Sequence, residues 1–143
     1  MLNELIAMAE SSNNQSAIRY EPGYINRLMV SPEEYVIVAA AMAANACNKF
    51  SAQVLCSASY GLYQIMGESI YRLGYKKSIF DYVQSASDQT DIFNDFIRSR
   101  GIAYTLDEIV NDQTKRENFA HHYNGDIVAY SQHLLDTYNR MVG

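Results

Sequence analysis

The chain has 143 residues, 48% of them hydrophobic and 19% charged, with a formal net charge of −5 and a pI near 5.1. This length suits one domain around one solid core, and the acidic balance excludes the basic face that nucleic acids and anionic membranes require. The longest apolar run, Val36 to Ala44, is far short of the roughly 20 residues that cross a bilayer, so a soluble protein is expected.

The start, Met1-Leu2-Asn3-Glu4, lacks the basic region, apolar stretch and small-residue cleavage site of a secretory signal. Export would then come from elsewhere, or the chain is an excised domain. Leu2, Leu5, Ile6 and Ala9 recur at helical spacing, which predicts a helix over 2–11 ended by Ser11-Ser12-Asn13-Asn14. Glu10 falls in its last turn beside the apolar face, where the negative end of the helix dipole holds a carboxyl's pKa up. A solvated surface glutamate is the plain alternative.

Residues 17 to 24 read as a connector, because Pro22 and Gly23 break a helix, with Ile18-Arg19-Tyr20 suited to a short extended piece. Ser31-Pro32-Glu33-Glu34 reads as a helix start with Ser31 as N-cap and Glu34 closing a capping box. The apolar segment Tyr35 to Cys47 should follow it, largely buried, its alanines allowing a neighbouring helix to come close. Cys47 and Cys56 show no Cys-x-x-Cys spacing and no histidine cluster, so two free thiols are expected, with a disulfide as the alternative outside the cytoplasm.

Ser57 to Gly67 combines backbone freedom at Gly61, flat faces at Tyr60 and Tyr63, and a donor and acceptor at Gln64, parts that a sugar-binding wall needs. It equally suits the start of an ordinary core helix, continuing through Leu73 to Gly74. Further helices are expected over 78–84 and 88–99, the second closed by Gly101, with apolar stripes that belong to the core. Thr105-Leu106-Asp107-Glu108 is a capping box, and helices follow over 115–122 and 126–141. His121 with Glu117 has His-x-x-x-Glu-type spacing but no third convergent ligand, since the adjacent His122 points to a different side of the helix, so neither a metal nor a cofactor is expected.

Gly61-Leu62-Tyr63-Gln64-Ile65-Met66 resembles the Gly-Leu-Met-Gln-Leu-Met block of goose-type lysozymes and soluble lytic transglycosylases. Ser57 to Gly67 is closer still to the Ser-Ala-Ser-Trp-Gly-x-Phe-Gln-Ile-Met-Gly segment of phage N-acetylmuramidases, with tyrosine at both aromatic positions. Ala9-Glu10-Ser11-Ser12 resembles the Glu-Ser pair that carries the catalytic acid in these enzymes. His121-His122-Tyr123-Asn124-Gly125 resembles their Tyr-Asn-Gly block, and Tyr130 with Leu134, Leu135 and Tyr138 resembles their final Tyr-rich helix. The blocks come in the family's order and span nearly the whole chain.

The resemblance implies a mainly α, lysozyme-like single domain over 1–143, with a central Gly61–Leu73 helix and at most a small β element near 17–24. It implies Glu10 as catalytic acid, substrate contacts from Ser59, Tyr60, Gly61, Tyr63, Gln64, Ile65, Tyr123, Asn124 and Tyr130, and Glu21 as a candidate second carboxylate. The implied partner is the peptidoglycan glycan strand, cut by a monomeric phage lysin or virion-borne enzyme. A glycosidic oxygen must receive a proton near neutral pH, so the acid has to stay protonated above the ordinary glutamate pKa of about 4.3. Lytic transglycosylases use one carboxylate and close the muramic C6 hydroxyl onto C1; ordinary glycosidases use two. The absence of an aspartate between Glu10 and Asp81 favours the transglycosylase, with a hydrolytic muramidase assisted by Glu21 as the alternative, and a non-catalytic glycan-binding or virion-structural module as a further one.

Overall fold

Leu2, Leu5 and Ile6 fall on one face of helix α1 (Leu2–Ser11), and all three are buried. The structure, a computed structural model, describes residues 1–143 except for the side chain of Val30. Helix α1 ends where Ser12 and Asn13 turn left-handed, at φ 53° and 62°, and the Ser12 N–H bonds to the carbonyls of Ala7 and Met8. That closure fixes the last turn, and with it Glu10.

Strand β1 (Ile18–Tyr20) pairs antiparallel with β2 (Ala58–Tyr60), Arg19 opposite Ser59, and β2 pairs antiparallel with β3 (Ile65–Met66), Ser59 opposite Met66. This three-stranded sheet, ordered β1-β2-β3, corrects one expectation. Gly61 to Met66 is not the start of a helix but a hairpin turn and its return strand. Gly61 at φ 76° and Gln64 at φ 48° both sit in the left-handed region, which a right-handed helix cannot contain. The helix after it, α5 (Gly67–Arg72), is only six residues long. A β-carbon on Gly67 would meet the Leu55 carbonyl and lie 3.1 Å from Cys56 Cα, so the glycine lets α5 start against α4.

Helices α2 (Tyr24–Val30), α3 (Glu34–Asn45) and α4 (Lys49–Cys56) fill the stretch between β1 and β2. Ser31 does not cap α3: residues 31 to 34 form turns in which the Glu34 N–H bonds to Ser31 O and the Tyr35 N–H to Pro32 O. Glu34 turns inward to Arg72 instead, its side chain 2.7 Å from Arg72 Nη2. The segment from Tyr35 is only half buried, since Ile37, Val38 and Ala41 are covered while Val36 is 76% exposed.

Helices α6 (Ile79–Gln84), α7 (Ala86–Ser99), α8 (Leu106–Asn111), α9 (Gln113–Tyr123) and α10 (Ile127–Val142) complete the chain. Side-chain caps at Ser78, Ser85, Thr105, Asp112 and Asp126 start all five, and Thr105 with Glu108 forms the full capping box. Their apolar faces meet the sheet around Tyr60, Tyr63, Tyr82, Phe93, Phe119 and Leu134. Each large side chain so buried contributes roughly 1.5–3 kcal/mol. The mainly helical architecture with a small sheet is the lysozyme-like class expected from the sequence. Cys47 and Cys56 are free thiols, the second buried, and among the described residues no helix is long and apolar enough to cross a membrane.

Candidate active site

The C-terminal turn of α1, the β2–β3 hairpin and the ends of α9 and α10 converge on one cleft. Three contacts set α1 in place there. Ser11 Oγ donates to Leu62 O at 2.9 Å, His133 Nε2 lies 3.1 Å from Ala9 O, and the Tyr130 hydroxyl donates to Glu10 Oε1. Glu10 lines a cavity of about 120 Å3 together with Arg19, Glu21, Ser59, Gln64, Met66, Tyr123 and Asn124.

Burial pushes the Glu10 carboxyl above the ordinary glutamate pKa. The Tyr130 hydrogen bond, and then the charges of His133 and Arg19, pull the other way without prevailing. No cation touches the Glu10 side chain among the described residues. Arg19 is engaged elsewhere, its Nε donating to Glu21 Oε1 at 2.6 Å. Glu10 is thus a half-buried carboxyl with one phenol donor and a face toward a cavity, an environment that favours the protonated form more than water does.

The aromatic wall behind it is a stack. Tyr130 and Tyr123 lie parallel, their ring centroids 6.1 Å apart at 10°, and Tyr123 stacks on Phe119 at 5.0 Å. The Tyr123 hydroxyl donates to Tyr63 O at 2.6 Å, which ties α9 to the hairpin. Burial raises the pKa of both phenols well above 10, with Glu10 reinforcing it, so both remain donors.

Five of the residues expected at a substrate have other tasks. Tyr60 and Tyr63 are 2% and 3% exposed, so neither offers a face to a sugar. The Tyr60 hydroxyl bonds to Leu55 O, while Tyr63 stacks on Phe93 at 4.4 Å and bonds to Thr90. Gly61 faces Gln89 rather than a ligand, for a β-carbon there would lie 2.6 Å from Gln89 Cδ. The Gln64 amide lines the cavity but is fully committed: Oε1 accepts from Ser59 Oγ at 2.9 Å, and Nε2 donates to Gly61 O and Ala17 O. Tyr130 is 7% exposed and reaches Glu10, not open cleft. Ser59, Gln64, Tyr123, Asn124 and Glu21 do meet at Glu10, and Ile65 borders the cleft beyond them.

Arg19, Met66, Tyr24, Arg100, His121 and His122 line the cleft without having been singled out for it. The placement of Arg19 follows from the pairing of β1 with β2, which brings residue 19 beside Ser59; no local pattern in the sequence carries that pairing. Among the described residues no group of three or more His, Cys, Asp or Glu could hold a metal ion.

A family model of N-acetylmuramidases matches residues 3–141. The chain is 31% identical over 125 residues to an endolysin of Enterobacteria phage PRD1, an alignment covering 85% of this chain and 84% of that protein. No solved structure matches the chain. A match over nearly the full length, with the family's blocks brought to one cleft, places the chain in the N-acetylmuramidase family, as a lysozyme-type enzyme that cleaves peptidoglycan.

Proposed function

We propose that Glu10 is the general acid in hydrolysis of the β-1,4 bond from N-acetylmuramic acid to N-acetylglucosamine. The observation that carries this reading is the Glu10 carboxyl itself, its pKa raised by burial and its open side facing a cavity. The protonated carboxyl gives its proton to the glycosidic oxygen as the C1–O bond breaks. Tyr130 holds the carboxyl in place and stabilises the carboxylate left behind.

Water as the acceptor is supported by Glu21, a second carboxylate lining the same cavity. It would take a proton from the water that attacks C1, leaving a reducing end. The ion pair with Arg19 supports the other reading, because it occupies one oxygen of that candidate base. In that reading Glu10, once deprotonated, takes the proton of the muramic C6 hydroxyl, which closes on C1 to give a 1,6-anhydro end. The 85% of the chain aligned with a phage endolysin supports action on the wall during phage lysis.

The test is the mass of the muropeptides together with Glu10→Gln, which keeps size and hydrogen bonding but removes the proton donor. Activity should fall by at least about 10²- to 10⁴-fold, and the wild-type products should carry reducing ends. Products lighter by one water would replace hydrolysis with ring closure. Full activity of Glu10→Gln would overturn the site.

A further inference from the structure

Beyond Glu10 the cleft opens into an adjoining lobe of about 310 Å3, sharing Gln64, Met66, Tyr123 and Asn124 with the Glu10 cavity. Its far side carries Arg100, His121 and His122. Among the described residues no carboxylate lines it, in a chain with 16 Asp and Glu against 11 Lys and Arg.

A lobe built only for sugar rings would present bare aromatic faces, and this one does not. The Arg100 guanidinium lies 4.8 Å over the Phe96 ring, and the Arg27 guanidinium 5.2 Å over the Tyr24 ring. Cations therefore cover the Phe96 and Tyr24 rings, while the third aromatic ring of the lobe, Tyr123, stacks on Phe119 and Tyr130. Arg100 makes one long hydrogen bond, from Nη1 to His122 O at 3.5 Å, and no ion pair among the described residues. A guanidinium has five N–H donors in a fork that matches a carboxylate. It is held by its stack on Phe96 with most of those donors open.

We propose that this lobe receives the carboxylate-bearing stem peptide of the strand being cut, with Arg100 pairing to one of its carboxylates. The inference rests on Glu10 being the cleavage centre. The amino-sugar backbone is neutral, whereas the peptide attached through the muramic lactyl group carries free carboxylates. That branch leaves the strand next to the bond that is broken, so its binding site must adjoin the acid, as this lobe does. The chain thereby reads not only a glycan but a substituted one, through a cationic lobe on an acidic molecule.

The experiment compares kcat/KM on three soluble substrates: stem-bearing strands, the same strands stripped by an amidase with the lactyl carboxylates so freed then capped as simple amides, and strands whose stem carboxylates have been amidated. The wild type should prefer the first by about tenfold or more, the range of one charge-assisted hydrogen bond, and lose that preference on amidation. Arg100→Ala should bring the ratio of stem-bearing to stripped strands close to one, through KM, and Arg100→Lys should restore part of it. The ratio is internal to each variant, so a fraction of misfolded protein cancels. An unchanged ratio in Arg100→Ala, or equal losses on both strands, overturns the assignment while leaving Glu10 as the acid. A wild type that cuts none of the three overturns the glycosidase reading as well.

Discussion

Gly61→Ala tests whether the hairpin beneath Glu10 is held as the structure implies. An alanine at φ 76° takes on left-handed strain of about 1–2 kcal/mol. Its methyl would also meet Gln89, with Cδ only 2.6 Å away. Gln89 cannot step aside freely, because it is fully buried, its Oε1 accepts from Leu62 N at 2.8 Å, and its Nε2 donates to Tyr82 O at 2.9 Å and Gln15 O at 3.2 Å. Overpacking costs about 1–3 kcal/mol, and loss of one such buried bond about 1–3 kcal/mol more. The sum is about 3–8 kcal/mol, at or beyond the upper end for a point change. In urea unfolding, with m near 2 kcal/mol/M, the midpoint should drop by about 1.5 M or more. Adding Gln89→Ala removes the clash, so that second change should cost less in the Gly61→Ala background than in the wild type. A loss below about 1 kcal/mol for Gly61→Ala, or additive losses in the cycle, would refute the reasoning.

Tyr130→Phe removes a contact that lowers the Glu10 pKa against the larger effect of burial, so the alkaline limb of the pH–activity profile, where the acid loses its proton, should move to higher pH; a limb that stays or moves down refutes this. Arg72→Met removes the nearest cation from two buried carboxylates, Glu34 at 2.7 Å from Nη2 and Glu68 at 2.6 Å from Nε, leaving Glu34 with Arg27 at 3.6 Å, and should cost about 2–3 kcal/mol at pH 7, the half-exposed Arg72 head tempering the loss. Burial and Glu68 already raise the Glu34 pKa, with Arg72 opposing. The variant's folded state therefore binds more protons than its unfolded state, and thermal unfolding should show its deficit shrinking as pH falls toward 4.

Apolar stripes and the Thr105 capping box made the C-terminal helices legible; the caps at Ser85, Asp112 and Asp126, not read in the sequence, start α7 and α9 two residues earlier than expected and hold the first turn of α10. The hairpin was not legible, because a glycine followed by Leu-Tyr-Gln-Ile-Met suits a helix equally well until two left-handed residues are known. Those conformations are imposed by distant partners, Gln89 at Gly61 and the Ala17 carbonyl at Gln64. Ser31 misled for a similar reason, since the carboxylate that would have completed its capping box is drawn inward to Arg72. Helix α4 was not expected from the sequence, although Asn48 caps it, accepting from Ser51 N at 2.8 Å. In the cleft, residue types and order identified Glu10, Tyr123 and Asn124. Which tyrosines would face the cavity depended on packing against Phe93 and Leu55, which no local pattern records.

The same arrangement makes Glu21 ambiguous in a way that a single substitution would not resolve. Arg19 already lowers the Glu10 pKa slightly, after Tyr130 and His133 and against the larger effect of burial, and it is held by Glu21. Glu21→Gln would loosen Arg19 within a cavity that both share with Glu10. A cation brought closer to Glu10 favours its ionised form and costs it the proton at neutral pH. Glu21→Gln therefore lowers activity at pH 7 whether Glu21 is a base or only a restraint. The double variant Arg19→Met/Glu21→Gln separates the two, because it removes the loosened cation along with the carboxylate. If Glu21 takes the proton from water, the double variant stays as inactive as Glu21→Gln, and the loss persists on the acid side of the profile. If Glu21 only restrains Arg19, Glu21→Gln keeps its acid-side activity with its alkaline limb moved to lower pH, and the double variant recovers at pH 7. The expected result is no recovery; recovery would remove Glu21 from the chemistry and leave Glu10 as the one reacting carboxyl.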